Sequence, residues 1–371
     1  MGEHTVKLQP ATSVEYSIEH AEPAEVRGDL LRLWWDNLPV TRESADAKYQ
    51  WTYLEPPLRP DGVFVLRATR GDQAAHIVGT AGLCRRSVFA NGRALRAGLL
   101  GDLAVDRDHR TALPAIRLAR QVRQRAVEQY DITYGYPNHA AEGVFLRCGY
   151  HRLGTMSRYA AVLRHAPFVR RVLDVPVLPD IAGAGLDAAR MIARAPRTAR
   201  ARWRYQLQWL DDVDPRFDDL WLRARDQYPL IGQRDMRFLR WRFLRHPTER
   251  FQIAALTGQR AARAVHAYAV VQRQGGSAYL RDLFGRLEAI GPLLDLLLPA
   301  LRDQGCTSVS IGYLGAPHLV DLLLSRKFEY RHSNRTVIVA CGNGIDAEPG
   351  GLADAVVDPE RWYLTDADED T

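Results

Sequence analysis

The sequence is nearly devoid of lysine. Lys7, Lys48 and Lys327 are the only three among 50 lysines and arginines, so the net charge of +6 is carried by arginine. We read this as the mark of GC-rich codons. A positive balance favours acidic partners in general and selects none of them. Cysteine is also scarce. Cys84, Cys148, Cys306 and Cys341 stand far apart and form no C-x-x-C pair, which argues against a disulfide framework and against a zinc site. No metal is expected. No apolar run nears the roughly 20 residues needed to span a bilayer. Residues 1–22 also lack the apolar stretch of a secretory leader, so the expected location is the cytoplasm. The 371 residues, 46% hydrophobic and 25% charged, have an ordinary globular composition and a length for two or three domains.

Four regions are legible. Residues 1–163 alternate strands and helices: strands at Val14–Ile18, Val63–Thr69, Ile77–Arg85 and Ala94–Val105, and a helix at Ala24–Leu38. Asn91-Gly92 is a strong hairpin signal between the last two strands. A helix from Pro114 to Gln129, a strand from Ile132 to Tyr136 and a short helix ending in Phe145-Leu146-Arg147-Cys148-Gly149-Tyr150 follow. Residues 164–204 hold Pro167, Pro176, Pro179 and Pro196 among many arginines, the composition of a solvated linker. Peripheral contact with an anionic membrane would have to use this stretch. Residues 205–341 read as another α/β unit, and 342–371 as a turn-rich, acidic C-terminal tail.

An internal repeat links the first and third regions. Trp51-Thr52-Tyr53-Leu54 matches Trp241-Arg242-Phe243-Leu244, and Leu33-Trp34 matches Leu220-Trp221. Leu100-Gly101-Asp102-Leu103 matches Leu280-Arg281-Asp282-Leu283, and the 145–150 motif matches Leu323–Phe328. The matches keep one order, so two copies of one fold are expected.

The chemistry points to the first copy. Strict alternation puts Leu100, Asp102 and Ala104 on one face of their strand, making Asp102 a partly desolvated carboxylate suited to act as a base. The turn after Val105 leads into a helix whose first N–H groups suit a diphosphate, with Arg110 adding a permanent charge. The structural alternatives are a strand-end aspartate that caps a turn and a solvated loop arginine.

Strand, basic turn, helix, strand and Gly-Tyr helix, in that order, resemble the acyl-CoA core of the GNAT acyltransferases. The resemblance covers the first copy well and the second more loosely. It implies an α/β fold of mixed sheets, with two tandem GNAT-like domains that are each a central sheet flanked by helices. It implies acetyl-CoA or another acyl-CoA as co-substrate. The pantetheine arm would lie on Leu103, Ala104 and Val105, and the diphosphate on Arg110, Thr111, Ala112, Leu113 and Ala115. Asn138 takes the place of a family asparagine near the thioester. The family's cradle glycine is Leu113 here, Pro114 lacks an N–H, and Phe145 stands where many members carry a tyrosine acid. Tyr134 and Tyr136 remain as candidate acids, with packing as their alternative role.

The implied function is N-acyl transfer to a primary amine of a small molecule, amino sugar or cell-surface precursor, with Asp102, Asn138 and Tyr136 as the catalytic set. The second copy, with Asp282 but no Arg-x-x-Gly-x-Gly element, would complete an acceptor cleft. The Trp-x-aromatic-Leu repeat and Trp362-Tyr363-Leu364-Thr365 resemble tandem-GNAT proteins, among them the bacterial Fem-type aminoacyltransferases. Aminoacyl-tRNA-dependent transfer is therefore the rival within enzymes, and a non-catalytic GNAT-fold binding module the rival outside them. Nucleic acid enters only through that tRNA, since no interleaving of aromatic and basic residues marks a single-strand binder. The sequence leaves the oligomeric state open.

Overall fold

The computed structural model describes residues 14–369, apart from 39, 111, 170–177, 260–263, 346–347 and 349. Six strands belong to the first half: β1 (Val14–Ala21), β2 (Val63–Arg70), β3 (His76–Ala90), β4 (Arg93–Val105), β5 (Ile132–Gly135) and β6 (His151–Val162). The remainder are β7 (Tyr205–Leu210), β8 (Leu230–Gly232), β9 (Gln252–Gly258), β10 (Val265–Gln274), β11 (Ser277–Gly285), β12 (Ser308–Gly315), β13 (Glu329–Cys341) and β14 (Trp362–Leu364). All of them join one sheet, in the order β1-β2-β3-β4-β5-β13-β6-β12-β11-β10-β9-β7, with β8 and β14 bridging β3 to β12.

Read from either edge, the order tells the same story. Each half runs through antiparallel neighbours to one parallel pair, β4 with β5 and β11 with β12. The next position in each half is filled by the other half. β13 lies beside β5, and β6 lies beside β12. The halves thus exchange a strand, and neither completes its sheet alone. Regions expected as successive units are joined through the centre of the sheet.

The repeat motif marks the join. Gln50–Leu54 and Arg240–Leu244 are both π-helical turns. Their tryptophans stack with centroids 4.9 Å apart at 18°. Trp51 Nε1 donates to the Trp241 carbonyl and Trp241 Nε1 to the Trp51 carbonyl, each at 2.9 Å. Such reciprocity is what a two-fold relation between the copies requires.

Helices cover both faces. In the helix Ala112–Gln129, Leu118, Ala119, Val122 and Ala126 recur at helical spacing and pack on Phe64, Leu66 and Leu83. The helices Arg27–Asn37 and Arg42–Tyr49 bring Leu30, Trp34 and Tyr49 to the opposite face, over Val63 and Val65. In the second half, Leu293, Leu294 and Leu297 of the helix Leu287–Asp303 fill the largest core cluster.

The stretch expected as a solvated linker differs in its second part. Residues Leu178–Arg204 form one helix with Pro196 inside it, on an exposed turn where the carbonyl left without a partner can meet water. Thr198 Oγ donates to the Asp295 carbonyl, and Arg197 donates to the carbonyl of Ser325 at the end of the helix Pro317–Leu324. A guanidinium there meets the negative end of the helix dipole.

Candidate active site

β4 and β5 separate where the site begins. Their parallel pairing ends at Leu100 and Gly135, leaving the edges of Gly101–Val105 and Tyr136–Asn138 to diverge. Gly135 permits the close approach before the split, since a Cβ there would meet Leu100 Cβ at 2.8 Å. A β-bulge follows at once. Gly101 pairs with Gly82 and Ala104 with Thr80, so Asp102 and Leu103 oppose the single residue Ala81. Asp102 takes φ +54°, a left-handed conformation that aspartate tolerates better than most residues.

The bulge corrects the alternation expected from sequence. Leu100 packs with Phe64 and Leu118 on one face of the sheet, with Leu103 against the same cluster. Ala104 packs with Trp34 and Tyr53 on the other. Asp102 shares the Ala104 face and not that of Leu100. Its carboxylate is 3% exposed, with Lys48 Nζ 2.8 Å from Oδ1 and the Tyr53 hydroxyl donating to Oδ2 at 3.1 Å. Burial and the neighbouring Asp102 push the Tyr53 phenol well above its usual range, so it stays a donor.

A cleft of about 660 Å³ opens beside this carboxylate, between the two halves. Lys48, Asp102, Tyr136 and Asn138 line it from the first half. Arg242, His246, Glu249, Arg281, Asp366 and Glu369 line it from the second half and the acidic segment. The His246 ring lies edge-on to Trp51 and its Nδ1 accepts from the Glu249 N–H at 3.1 Å. Burial, with Arg242, Arg281 and Arg250 nearby, lowers this imidazole to about 4. It therefore sits neutral at pH 7, as an acceptor needs.

The predicted residues divide. Asp102, Leu103, Tyr136 and Asn138 meet in the cleft wall. The Tyr136 hydroxyl is buried with no hydrogen-bond partner among the described residues. Burial, then Asp368, Tyr134 and Glu369, raise its phenol well above the ordinary value, so it stays protonated. Tyr134 instead packs against Trp362. Asn138 caps the helix His139–Arg147, its Oδ1 accepting from the Ala141 N–H at 2.9 Å. Phe145 lines the cleft without a hydroxyl.

The diphosphate set lies apart, and none of Arg110, Leu113 and Ala115 lines the cleft. Arg110 is folded back: Nε donates to the Val105 carbonyl at 3.0 Å, and Nη2 to Asn37 Oδ1 at 2.8 Å. One of the strand-end carbonyls expected to meet a ligand is thereby taken. Leu113 is 54% exposed and keeps an ordinary negative φ, so its backbone does not require glycine. Pro114 removes an N–H from the first helical turn. Thr111 lies outside the described residues.

The second half repeats the strand without the opening. Asp282 is fully buried, held by Arg234 Nε at 3.2 Å, the Tyr268 hydroxyl at 2.7 Å and the Thr365 hydroxyl at 2.8 Å. Burial opposes the charge of Arg234, but Asp282 and Asp368 together hold it firmly protonated. The acidic segment, read from sequence as a tail, is buried throughout 362–369. Lys48 and the arginine-carboxylate wall were not singled out from sequence. The only signal was the coincidence of an acidic run with a chain rich in arginine. Among the described residues, no three His, Cys, Asp or Glu side chains gather as a metal-binding set.

No family model and no curated protein matches the sequence. The architecture does match solved structures. A GCN5-related N-acetyltransferase from Anabaena variabilis ATCC 29413 superposes with a TM-score of 0.61 at 13% identity, over 89% of this chain and 73% of that one. One from Kribbella flavida gives 0.58 at 13% identity, over 90% and 72%. A conserved protein of unknown function from Enterococcus faecalis V583 gives 0.60 at 12% identity, over 89% and 73%. The chain therefore has the mixed α/β fold of these GCN5-related N-acetyltransferases. At these identities the likeness is one of fold, and residue roles do not follow from it.

Proposed function

We propose that the protein transfers an acyl group, acetyl in the simplest case, from a thioester to a primary amine held between its halves. One observation carries this reading: the split of β4 from β5 opens, beside the bulged Asp102, directly onto the inter-half cleft. The diverging strand edges suit the amides of a pantetheine arm. A thioester bound there supplies an activated acyl carbonyl.

The chain's own groups cover the proton movements. As the amine nitrogen bonds to the acyl carbon, its proton passes to Asp102. Both carboxylate oxygens already have partners, so a water relays it. Main-chain N–H groups of Leu103–Val105 that face the split would steady the oxyanion. As the carbon–sulfur bond breaks, the Tyr136 phenol, whose hydroxyl has no hydrogen-bond partner among the described residues, protonates the leaving thiolate. Asn138 fixes the helix that forms the cleft's rim. The cleft volume suits a small-molecule or amino-sugar acceptor.

The donor's far end fits less well. Arg110 is committed to Val105 and Asn37, and Leu113 with Pro114 blunts the helix N-terminus. This favours, as a second reading, a donor without the CoA diphosphate, as in Fem-type transfer from aminoacyl-tRNA. Calorimetry with CoA and acetyl-CoA separates the two, and absence of binding at millimolar ligand would remove acyl-CoA. If CoA binds, Asp102→Asn should lower transfer by at least about 100-fold with CoA affinity nearly unchanged. Undiminished turnover would remove Asp102 as the base. No helix among the described residues is long and apolar enough to cross a membrane, and the four cysteines form no disulfide. Both fit the proposed setting in the cytoplasm.

A further inference from the structure

The second half has a split of its own, and it is filled. β11 and β12 pair in parallel only from Ser277 and Ser308 to Leu280 and Ile311. That end point corresponds to Leu100 and Gly135 in the first half. β11 also bulges there, Arg281 being the extra residue between partners Val270 and Val271. Beyond it, residues 281–285 and 312–315 diverge as 101–105 and 136–138 do.

Residues 362–369 occupy the gap and touch both of its sides. Along β12, Leu364 pairs with Leu314 and Tyr363 with Gly315. Along β11, the Tyr363 hydroxyl donates to the Leu283 carbonyl. The Thr365 hydroxyl donates to Asp282 Oδ1 at 2.8 Å, and Arg281 Nη1 donates to Asp366 Oδ2 at 2.6 Å. Two glycines admit the segment. A Cβ on Gly312 would meet Asp366 Oδ1 at 2.5 Å, and one on Gly315 would overlap the Trp362 carbonyl. Charge matches as well: Arg234 pairs with Asp368 at 2.6 Å, and Arg335 with Asp366 and Glu369.

We propose that this second split is a peptide slot. It takes an acidic segment of the type aromatic-Leu-Thr-Asp, a short strand at Trp362–Leu364 followed by a 3-10 turn at Asp366–Asp368, where the first half would take a pantetheine arm. In this chain it takes residues 362–369 in cis. Main-chain pairing with β12 supplies affinity and the arginines supply selectivity for acidic side chains, the usual division of labour in strand addition. Each chain is thereby left with one donor slot. Only that last consequence rests on the acyl-transfer reading.

Hydrogen–deuterium exchange on the full chain tests the slot. The N–H groups of Thr365, Ala367 and Asp368 donate within the segment, to Asp368 Oδ2, Thr365 Oγ1 and the Thr365 carbonyl. In the unaltered protein these amides should exchange at least about 1,000-fold more slowly than in the free peptide. Thr365→Val, which removes the hydroxyl that joins Asp282 and Arg234 and that accepts from the Ala367 N–H, should speed exchange across 363–369, at Thr365 and Asp368 as well as at Ala367, by about tenfold and leave β1 to β4 unchanged. Exchange at the free-peptide rate in the unaltered protein overturns the proposal without recourse to any variant. So does a Thr365→Val protein whose segment is as protected as before. Titration with acetyl-CoA and acetyl-pantetheine counts donor slots separately. One per chain is expected, and two would refute the filled slot. Complete absence of donor binding with a protected segment would fall on the acyl-transfer reading and leave the peptide slot intact.

Discussion

The reciprocal tryptophans make a quantitative prediction about how the halves hold together. Trp51→Phe removes the Nε1–H that reaches the Trp241 carbonyl at 2.9 Å, and Trp241→Phe removes its mirror image. Both residues are 5% exposed, so water cannot replace the lost donor. A buried carbonyl left without its partner costs about 1–3 kcal/mol, and the smaller ring loses about 1 kcal/mol of packing. Each single substitution should therefore destabilise the chain by about 2–4 kcal/mol, and the two by equal amounts to within roughly 0.5 kcal/mol. The stacked rings are shared between the two changes. The double variant should accordingly fall short of additivity by about 0.5–1.5 kcal/mol, the worth of an aromatic pair. The assay is equilibrium unfolding in urea followed by fluorescence and by circular dichroism. Because β6 and β13 are exchanged between halves, all variants should unfold in one transition seen alike by both probes. Two separate transitions would refute the coupling of the halves. One silent tryptophan beside a costly one would refute the two-fold relation at the join.

Two further outcomes follow from the cleft. Tyr136→Phe should cut kcat by about 100-fold with the donor KM unchanged, because the phenol acts only on the leaving group. Since its hydroxyl has no partner among the described residues, stability should stay within about 0.5 kcal/mol. Unchanged kcat would return Tyr136 to a packing role. His246 sets a pH dependence. Its folded pKa of about 4 lies below the unfolded value of 6.5, so the unfolded chain binds its proton first as pH falls. The stability contributed is full above 6.5 and is lost progressively down to about 4. Allowing for water at the ring's edge, the loss is of the order of 2 kcal/mol, and His246→Gln should flatten stability over that window. An unaltered pH profile in that variant would show that the imidazole is not buried neutral.

The parts of the fold that were legible are those written locally. Asn91-Gly92 announced its hairpin because both residues take positive φ, +47° and +82°. The duplication was visible because the Trp-x-aromatic-Leu turns are used twice at the join. The strand exchange was not visible, because β6 and β13 have the same alternation whichever sheet they enter. The face of Asp102 was misassigned for a related reason. A bulge adds one residue to one strand, and alternation alone carries no mark of it. Arg110 and Thr198 show the same limit in side chains. Their partners, the Asn37 amide and the Asp295 carbonyl, are distant in sequence and set only by packing. The acidic run 366–370 read only as the end of a turn-rich tail, because its arginine partners at 234, 281 and 335 are scattered through the second half.

Those buried ion pairs also explain why two similar strands meet different fates. Asp102 and Asp282 follow matching bulged segments, and each accepts from a tyrosine. Asp102 has a lysine that is 23% exposed beside it and an open cleft in front. Asp282 has an arginine that is fully buried, itself shared with Asp368 of the segment that closes the gap. Burying Arg234, Asp282 and Asp368 together gains little net stability over an apolar packing, because desolvation offsets most of the attraction. Removing one member is another matter, since it strands the remaining charges at a cost of about 3–5 kcal/mol. The network is thus poorly suited to adding stability and well suited to fixing register. It admits the acidic segment in one alignment and penalises any other. In a two-fold architecture that would otherwise offer two equivalent splits, such a device breaks the symmetry. It closes one split with the chain itself, and it carries Asp366 and Glu369 across to the wall of the cleft that stays open.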